Sequence, residues 1–383
     1  MIFKKTIYYW SPFIASVATI QAVIKSAWSI NLYSKNKYTP YIINVAGEWN
    51  VYRQELQEKN IKIIDLTKSK IIDNKNHSGY LKSRILYIYI FLISLVPLAK
   101  LLKKNAPDFF VAQLITSVPL FLNTVINFNT NFVLRVSGLP KLNFLRFFFW
   151  KIAVKNIHAL TCPTNETKNY LLKKKIIVKN KLFTLYDPII STKEILLKEL
   201  KNKDKKLDFK KTFVSIGRLS KQKNFLFLIS NFKKFNSEKK YNLLILGEGE
   251  EYQKLQNFID QNELNEWVKI IGYQKNVYRY LKNCMCFIMP SLWEDPGFVL
   301  IEACYAGIPI ISSDCMSGPK EILDNGKNGL IFQSNNGQNL VEKIKLFEKL
   351  SYKNLHSMKV NAKKKSKEFT IFYHFKNFER ILV

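Results

Sequence analysis

Arginine is scarce in this sequence: seven of its 60 basic residues are Arg and the remainder are Lys. Proteins that read nucleic-acid bases rely on the two-pronged guanidinium, and no RNP or zinc-finger pattern is present either. Both absences point away from nucleic acid as a partner. Cysteine is scarce too. Five Cys in 383 residues, with four His and no paired C-x-x-C, exclude a disulfide scaffold and leave no zinc pattern. Cys162, Cys284, Cys286, Cys304 and Cys315 read as reduced thiols that fill a core. Thirteen Gly and no sustained heptad exclude collagen and a long coiled coil. Acidic residues are few in the first half: residues 1–190 carry 8 against 27 basic ones, and residues 191–383 carry 21 against 33.

What is present is apolar and aromatic. Hydrophobic residues make up 47% of the chain and aromatics 14%, enough for a packed core and too much for intrinsic disorder. The length suits two domains. The net charge of +31 favours an anionic partner: nucleic acid, membrane headgroups or a phosphorylated substrate. A second reading stands beside it. Lys, Asn, Ile, Phe and Tyr all have AT-rich codons, so nucleotide composition alone supplies much of the Lys.

Alternating strand and helix signals predict an α/β protein with parallel sheets. In the first half, Thr6–Trp10, Tyr41–Val45, Lys62–Asp65, Phe109–Leu114 and Phe132–Val136 read as strands. Near the N-terminus, a loop over Ser11–Ser16 and a helix over Val17–Tyr33 fit better than a signal peptide. The second half repeats strand, loop and helix. Thr212–Ile216, Tyr241–Leu246, Val268–Ile271, Cys284–Met289 and Ile308–Ser312 are the strands. Helices fall at Asn224–Phe235, Glu250–Gln261, Val277–Lys282 and Gly297–Tyr305. The Lys-rich stretch near 188–211 reads as the connection between domains. The expected division is 1–188, 189–365, and a C-terminal helix, 366–383, that crosses back to the first domain. A deep cleft between two Rossmann-like domains is the expected architecture.

Ile85–Ala99 is an uncharged apolar run of 15 residues, shorter than the roughly 20 a span needs, and Pro97 is expected to interrupt it. It has two readings: a buried core helix, or a helix lying in a membrane interface with Lys82, Arg84, Lys100, Lys103 and Lys104 on anionic headgroups. Phe144–Leu160 sets Phe147, Phe148, Phe149 and Trp150 among Arg146, Lys151 and Lys155, and suits the same two settings. Together these segments suggest peripheral contact with the anionic inner face of the cytoplasmic membrane.

Two loops carry the chemistry. The first is Ser215-Ile-Gly217-Arg218-Leu-Ser-Lys-Gln-Lys223-Asn224. Arg218 and Lys223 leave a strand end beside a helix start, where two cations and free backbone N–H groups can meet a diphosphate. The second is Pro290-Ser-Leu-Trp-Glu294-Asp-Pro-Gly297-Phe298-Val299-Leu-Ile-Glu302. The amides of Gly297, Phe298 and Val299 open a helix and can hold a phosphate. Glu294 and Glu302 can accept hydrogen bonds from sugar and ribose hydroxyls. Bland readings remain: a solvated basic loop, a capping Glu294 and a solvent-facing Glu302. Glu302, however, sits in an apolar helix where a carboxylate needs a partner.

The Gly-Arg-Leu…Lys-Asn loop, the turn Leu246-Gly-Glu-Gly-Glu250 and Glu294-x7-Glu302 resemble the family 4 retaining glycosyltransferases, which have the GT-B fold. The resemblance covers 212–330 by motif and the remainder by element order. It implies a second domain that binds a nucleoside-diphosphate sugar, a UDP-sugar by preference or a GDP-sugar. Arg218 and Lys223 match the cations on the diphosphate and Glu294 the acid at the donor sugar. Glu302 matches the acid at the ribose, and Gly272 and Tyr273 fall where the base packs. It also implies retention of configuration, with front-face attack by the acceptor hydroxyl. No Asp-x-Asp occurs, so transfer without a metal or other cofactor is expected. The acceptor is expected to be lipid-linked or a polysaccharide, in bacterial surface polysaccharide or lipopolysaccharide synthesis.

The first domain departs from the family pattern. Pro12-Phe-Ile-Ala15-Ser16 replaces the usual Gly-Gly loop, and Ser137 stands where a His is usual. Arg135, Ser137 and Ser16 are the candidate acceptor residues; Arg135 is either a phosphate ligand or a strand-end charge. His158 reads as a packed histidine. Two rivals stay open: another GT-B enzyme, such as a phosphorylase or sugar epimerase, and a non-enzymatic basic protein that binds membrane or nucleic acid.

Overall fold

A computed structural model describes residues 4–14, 18–72, 80–140, 142–200 and 209–383. The chain divides into two compact units: Met1–Pro188 with Ile371–Val383, and Ile189–Thr370.

The first unit is a parallel sheet of seven strands: β1 (Lys5–Trp10), β2 (Tyr38–Asn44), β3 (Lys62–Asp65), β4 (Phe109–Ala112), β5 (Asn131–Arg135), β6 (Ala159–Cys162) and β7 (Leu182–Thr184). Their order is β3-β2-β1-β4-β5-β6-β7. Inner strands such as β4 and β6 are buried at every position, because helices cover both faces and so select continuous apolar runs. The helices are α1 (Ala18–Tyr33), α2 (Arg53–Glu58), α3 (Tyr80–Asn105), α4 (Ser117–Val125), α5 (Phe144–Ala153) and α6 (Asn165–Lys173). One face of the sheet packs Ile7, Tyr9 and Val111 against Ile20, Val23 and Ile24 of α1. The other packs Trp10, Phe110 and Leu134 against Leu86 and Ile90 of α3, Leu120 of α4 and Trp150 of α5.

The second unit begins with α7 (Thr192–Leu200). Its parallel sheet has six strands: β8 (Phe209–Ile216), β9 (Asn242–Leu246), β10 (Val268–Ile270), β11 (Cys284–Met289), β12 (Ile310–Ser313) and β13 (Leu330–Phe332). The helices that follow are α8 (Phe225–Phe235), α9 (Tyr252–Gln261), α10 (Tyr278–Leu281), α11 (Phe298–Ala306), α12 (Pro319–Ile322), α13 (Gly337–Lys349) and α14 (Tyr352–Ser366). The strand order, β10-β9-β8-β11-β12-β13, reverses direction between β8 and β11. In open α/β sheets ligands bind beyond the carboxyl ends of the strands at that reversal. Register pairs Val214 of β8 with Phe287 of β11. The loops after these two strands are therefore neighbours, and they are the two loops that carry the sequence motifs.

The chain returns to the first unit as α15 (Ile371–Glu379). Phe372 and Phe375 pack their rings on Tyr33 of α1. His374, fully buried, joins Ser26 Oγ at 2.8 Å to the Tyr186 carbonyl at 2.7 Å. Burial holds its pKa well below the ordinary value, so the ring is neutral there. His158 is packed as expected, with Nε2 2.7 Å from the Ile381 carbonyl and its ring against Phe109.

Several local readings need correction. The run containing Pro97 is not interrupted: α3 continues through it to Asn105, because packing of one helix face offsets the missing N–H. The aromatic segment ends as a helix at Ala153, and Ala159–Cys162 is a buried strand. The Lys-rich connection contains α7, anchored by the buried Ile195. Residues 201–208 of that connection lie outside the described residues, as do Ala15 and Ser16. All five Cys are free and buried.

Candidate functional site

The loop after β8 runs from Gly217 through a single 3-10 turn, Lys221–Lys223, to Asn224, which adopts a left-handed conformation and starts α8. The loop after β11 spans 290–297. Gln222 stitches the two together: its carbonyl accepts the Leu292 N–H at 2.9 Å, and its side chain donates to the Trp293 carbonyl at 2.8 Å. Lys223 is thereby fixed opposite Glu294. Its stem lies along Gly217, where an added Cβ would stand 3.2 Å from the Lys223 Cγ, Cδ and Cε. Its ammonium donates to Glu294 Oε1 at 2.6 Å.

Glu294 is buried, with 4% of its surface exposed. Ser291 Oγ donates to the same Oε1 at 2.5 Å, while the Ser291 carbonyl accepts from Ser313 Oγ at 2.6 Å. Both donors fall on Oε1, and Oε2 has no hydrogen bond among the described residues. The carboxylate is thus held by one oxygen and offers the other. Glu294 does not cap α11: the N-cap is Gly297, and no side chain caps the helix. The first amides of α11 remain available to an anion. Cys315 lies close by, and burial pushes its thiol up to about 12, which keeps it protonated.

A third loop supports the first. Gly247 and Gly249 belong to the turn after β9. A Cβ on Gly247 would stand 1.8 Å from the Gly217 carbonyl oxygen, so only glycine lets the two backbones approach this closely. Leu219 N–H donates to the Glu248 carbonyl, and the Leu219 carbonyl accepts from Glu251 N–H, both at 2.9 Å. The Leu-Gly-Glu-Gly-Glu turn therefore buttresses the Arg218 loop. Gly272 accepts from Gly247 N–H at 2.9 Å, and Tyr273 N–H donates to Glu248 Oε1 at 3.2 Å. Tyr273 is 70% exposed and can offer its ring as a stacking surface. Arg218 is exposed in its loop, and Glu302 is half-buried on α11.

In the first unit the candidates separate. Ser137 is half-buried and accepts from Gln113 Nε2 at 3.2 Å. Arg135 is buried and forms an ion pair with the equally buried Asp187. Its charge is satisfied inside the unit, so the reading of Arg135 as an acceptor-phosphate ligand gives way to a structural one. Ser16 lies outside the described residues.

Sequence reasoning missed Ser291, Gln222 and Gly318. A Cβ on Gly318, at φ +135°, would stand 2.0 Å from the Pro296 carbonyl oxygen, so Gly318 lets the chain after β12 press against the Glu294 loop. The signal for Ser291 was present: a polar residue directly after an apolar strand and its terminal Pro. Gln222 had no signal among its Lys neighbours.

Two parallel-sheet units, a C-terminal helix returned to the first, and an anion-ready helix start at the reversal of the second sheet define a GT-B type of α/β enzyme. Solved structures agree on the fold. A glycosyltransferase from Rickettsia africae superposes with a TM-score of 0.76 at 17% identity, covering 99% of this chain and 98% of that one. Anabaena HepE in complex with UDP and glucose superposes at 0.69 and 14%, covering 99% of both. The family profile of glycosyl transferases group 1 matches residues 198–365. An uncharacterized glycosyltransferase of Methanocaldococcus jannaschii is 32% identical over 280 residues, 68% of each chain. The chain belongs to the group 1 glycosyltransferases. Other relatives are matched over a shorter stretch. One is a Campylobacter jejuni N-acetylgalactosaminyltransferase acting on a diphospho-undecaprenol-linked sugar, 31% identical over 35% of this chain and 36% of its own. Another is the lipopolysaccharide 1,6-galactosyltransferase of Salmonella typhimurium, 32% identical over 31% and 34%.

Proposed function

We propose that this glycosyltransferase moves a sugar from a nucleoside-diphosphate sugar, UDP-linked by preference, to a hydroxyl of a lipid-linked or polysaccharide acceptor, with retention of configuration as in family 4. The observation that carries this reading is the convergence of Lys223, Glu294 and the open start of α11 at the reversal of the second sheet. The amides of Gly297, Phe298 and Val299, with Lys223 and Arg218, hold the diphosphate and stabilise its charge as the glycosidic bond breaks. Glu294 Oε2 accepts from donor-sugar hydroxyls, Glu302 takes the ribose, and Tyr273 stacks on the base above Gly272. UDP in the HepE complexes supports the nucleotide. The lipid-linked substrate of the Campylobacter relative supports the acceptor class, with Ser137 at the acceptor side.

These roles require no metal: amides and cations neutralise the leaving group. We place this work at the cytoplasmic face of a membrane, in surface polysaccharide synthesis. The test is a thermal-shift screen of nucleotides and nucleotide sugars in the presence of a chelator, because a ligand that binds only the folded chain raises the midpoint. A rise with UDP or a UDP-sugar is expected, followed by NMR of the transferred anomer. No response to any nucleotide sugar overturns the donor site; an inverted anomer overturns retention.

A further inference from the structure

Helices α3, α4 and α5 cover the same face of the first sheet, each with one side in the core. Their outer sides are also apolar. On α3, Leu86, Ile90, Leu98 and Leu102 are buried, while Ile85, Ile88, Leu92 and Val96 are each more than half exposed. The helix is long and apolar enough to cross a membrane by length and composition. Its buried side belongs to the core of the unit, so it lies on the unit and does not span. Phe91 of α3 meets Phe121 of α4, ring centroids 6.1 Å apart, and the stripe continues through exposed Val125. On α5, Phe144 and Leu145 are 75% and 78% exposed, and Phe148 and Ile152 about half. Scattered apolar residues on a surface are ordinary; three neighbouring helices that expose one contiguous stripe are an interaction face.

The charge around this face has one sign. Between residues 80 and 175 there are 14 Lys and Arg against two acidic residues, Asp108 and Glu166. Lys100, Lys103 and Lys104 follow the α3 stripe, and Lys151 and Lys155 follow that of α5; all are exposed. Beside α5 an open pocket of about 480 Å³ is lined by Leu142, Phe144 and Phe147 on one side and by Lys173, Lys174 and Lys175 on the other. Apolar walls faced by three consecutive Lys residues suit a phosphodiester carried on acyl chains. A soluble sugar phosphate would leave Phe144 and Phe147 in water, and a protein partner would need acidic groups matched to each of these Lys clusters.

We propose that this face docks on the headgroup region of an anionic phospholipid bilayer, with the Lys173–Lys175 pocket holding a lipid phosphate and the outer residues of α3 and α5 entering the acyl boundary. It rests on the membrane-side placement proposed above and names the surface responsible. Near an anionic bilayer each Lys contributes about a factor of five, about 1 kcal/mol. The triple substitution K173Q/K174Q/K175Q is therefore expected to lower partitioning on the order of 100-fold.

The experiment is co-sedimentation of the full chain with vesicles of phosphatidylcholine alone and of phosphatidylcholine with phosphatidylglycerol, for wild type, the triple Lys variant and F144S/L145S. Binding only to the phosphatidylglycerol vesicles, lost in both variants, is expected. All substituted side chains are exposed, and thermal melts of each variant confirm folding. A UDP titration of the same samples reads the donor site separately, so loss of one property without the other tells the two proposals apart. Equal binding to both vesicle types, variants that sediment like wild type, or a wild-type dimer that the variants dissociate would each overturn the proposal.

Discussion

Glu294→Gln separates the two tasks of the donor loop, because it removes charge and keeps shape. Lys223 Nζ lies 2.6 Å from Glu294 Oε1, with 18% of the Lys side chain exposed and 4% of the Glu. A diphosphate must draw that ammonium from its carboxylate, and must also approach the carboxylate itself. A hydrogen bond to a charged group is worth about 1.5–3 kcal/mol net. Taking about 2 kcal/mol as the hold that Gln relinquishes, UDP is expected to bind roughly 30-fold more tightly to the variant. Transfer falls in the opposite direction, at least about 100-fold, the usual loss when one preorganised polar group leaves a reacting centre. Stability drops by about 1–2 kcal/mol. That is less than the roughly 3–5 kcal/mol for orphaning a fully buried charge, because Lys223 keeps water and Ser291 still donates to the amide oxygen.

The assays are UDP titration calorimetry and a transfer assay on the same preparation. A double-mutant cycle isolates the pair: in a Lys223→Met background, Glu294→Gln is expected to change UDP affinity by less than about threefold. Unchanged or weakened UDP binding in Glu294→Gln would refute the competition argument, and transfer within tenfold of wild type would remove Glu294 from the donor site.

Ser291→Ala frees Glu294 Oε1 from its second donor; the KM for the sugar donor is expected to rise about tenfold with the Kd for UDP unchanged, and a parallel change in both would mark a merely structural serine. Gly318→Ala drives a Cβ into the Pro296 carbonyl; a loss of more than about 2 kcal/mol in urea unfolding and of UDP-dependent stabilisation is expected, and a neutral result would show that the Glu294 loop tolerates movement. Glu48 gives the pH prediction. Burial pushes its carboxyl from 4.5 to about 7, against the opposing Ala46 and Val45 amides. The folded chain holds a proton that the unfolded chain releases first, so this stability is present below about pH 4.5 and is lost as pH rises to about 7. Glu48→Gln, which has no such titration, is expected to gain about 3 kcal/mol relative to wild type across that interval, and a constant difference in urea unfolding at the two pH values would refute it.

The donor half of this molecule was legible because its signals are local. A Gly after an apolar strand, two cations before a helix, and carboxylates eight residues apart around a helix start each occupy one loop. The parallel pairing of β8 and β11 then brings those loops together without further information from the sequence. What stayed hidden depends on contacts distant in sequence. Ser291 gains its role from Glu294 on one side and Ser313 on the other. Gly318 matters only because Pro296 lies against it. Arg135 looked like a functional charge until the fold placed Asp187, 52 residues away, against it. The acidic partner that neutralises a lone Arg can sit anywhere in the chain, so strand-end position alone cannot tell a ligand from an internal ion pair. The same reasoning sorts the Lys surplus. Periodicity predicted apolar helices with basic flanks, yet only burial shows that α3 gives one side to the core and leaves the other to a surface. A genomic excess of Lys accounts for basic residues in both units, but not for the coincidence between residues 80 and 175 of exposed apolar stripes with a stretch that holds only two acids, Asp108 and Glu166. That coincidence is what composition alone does not explain.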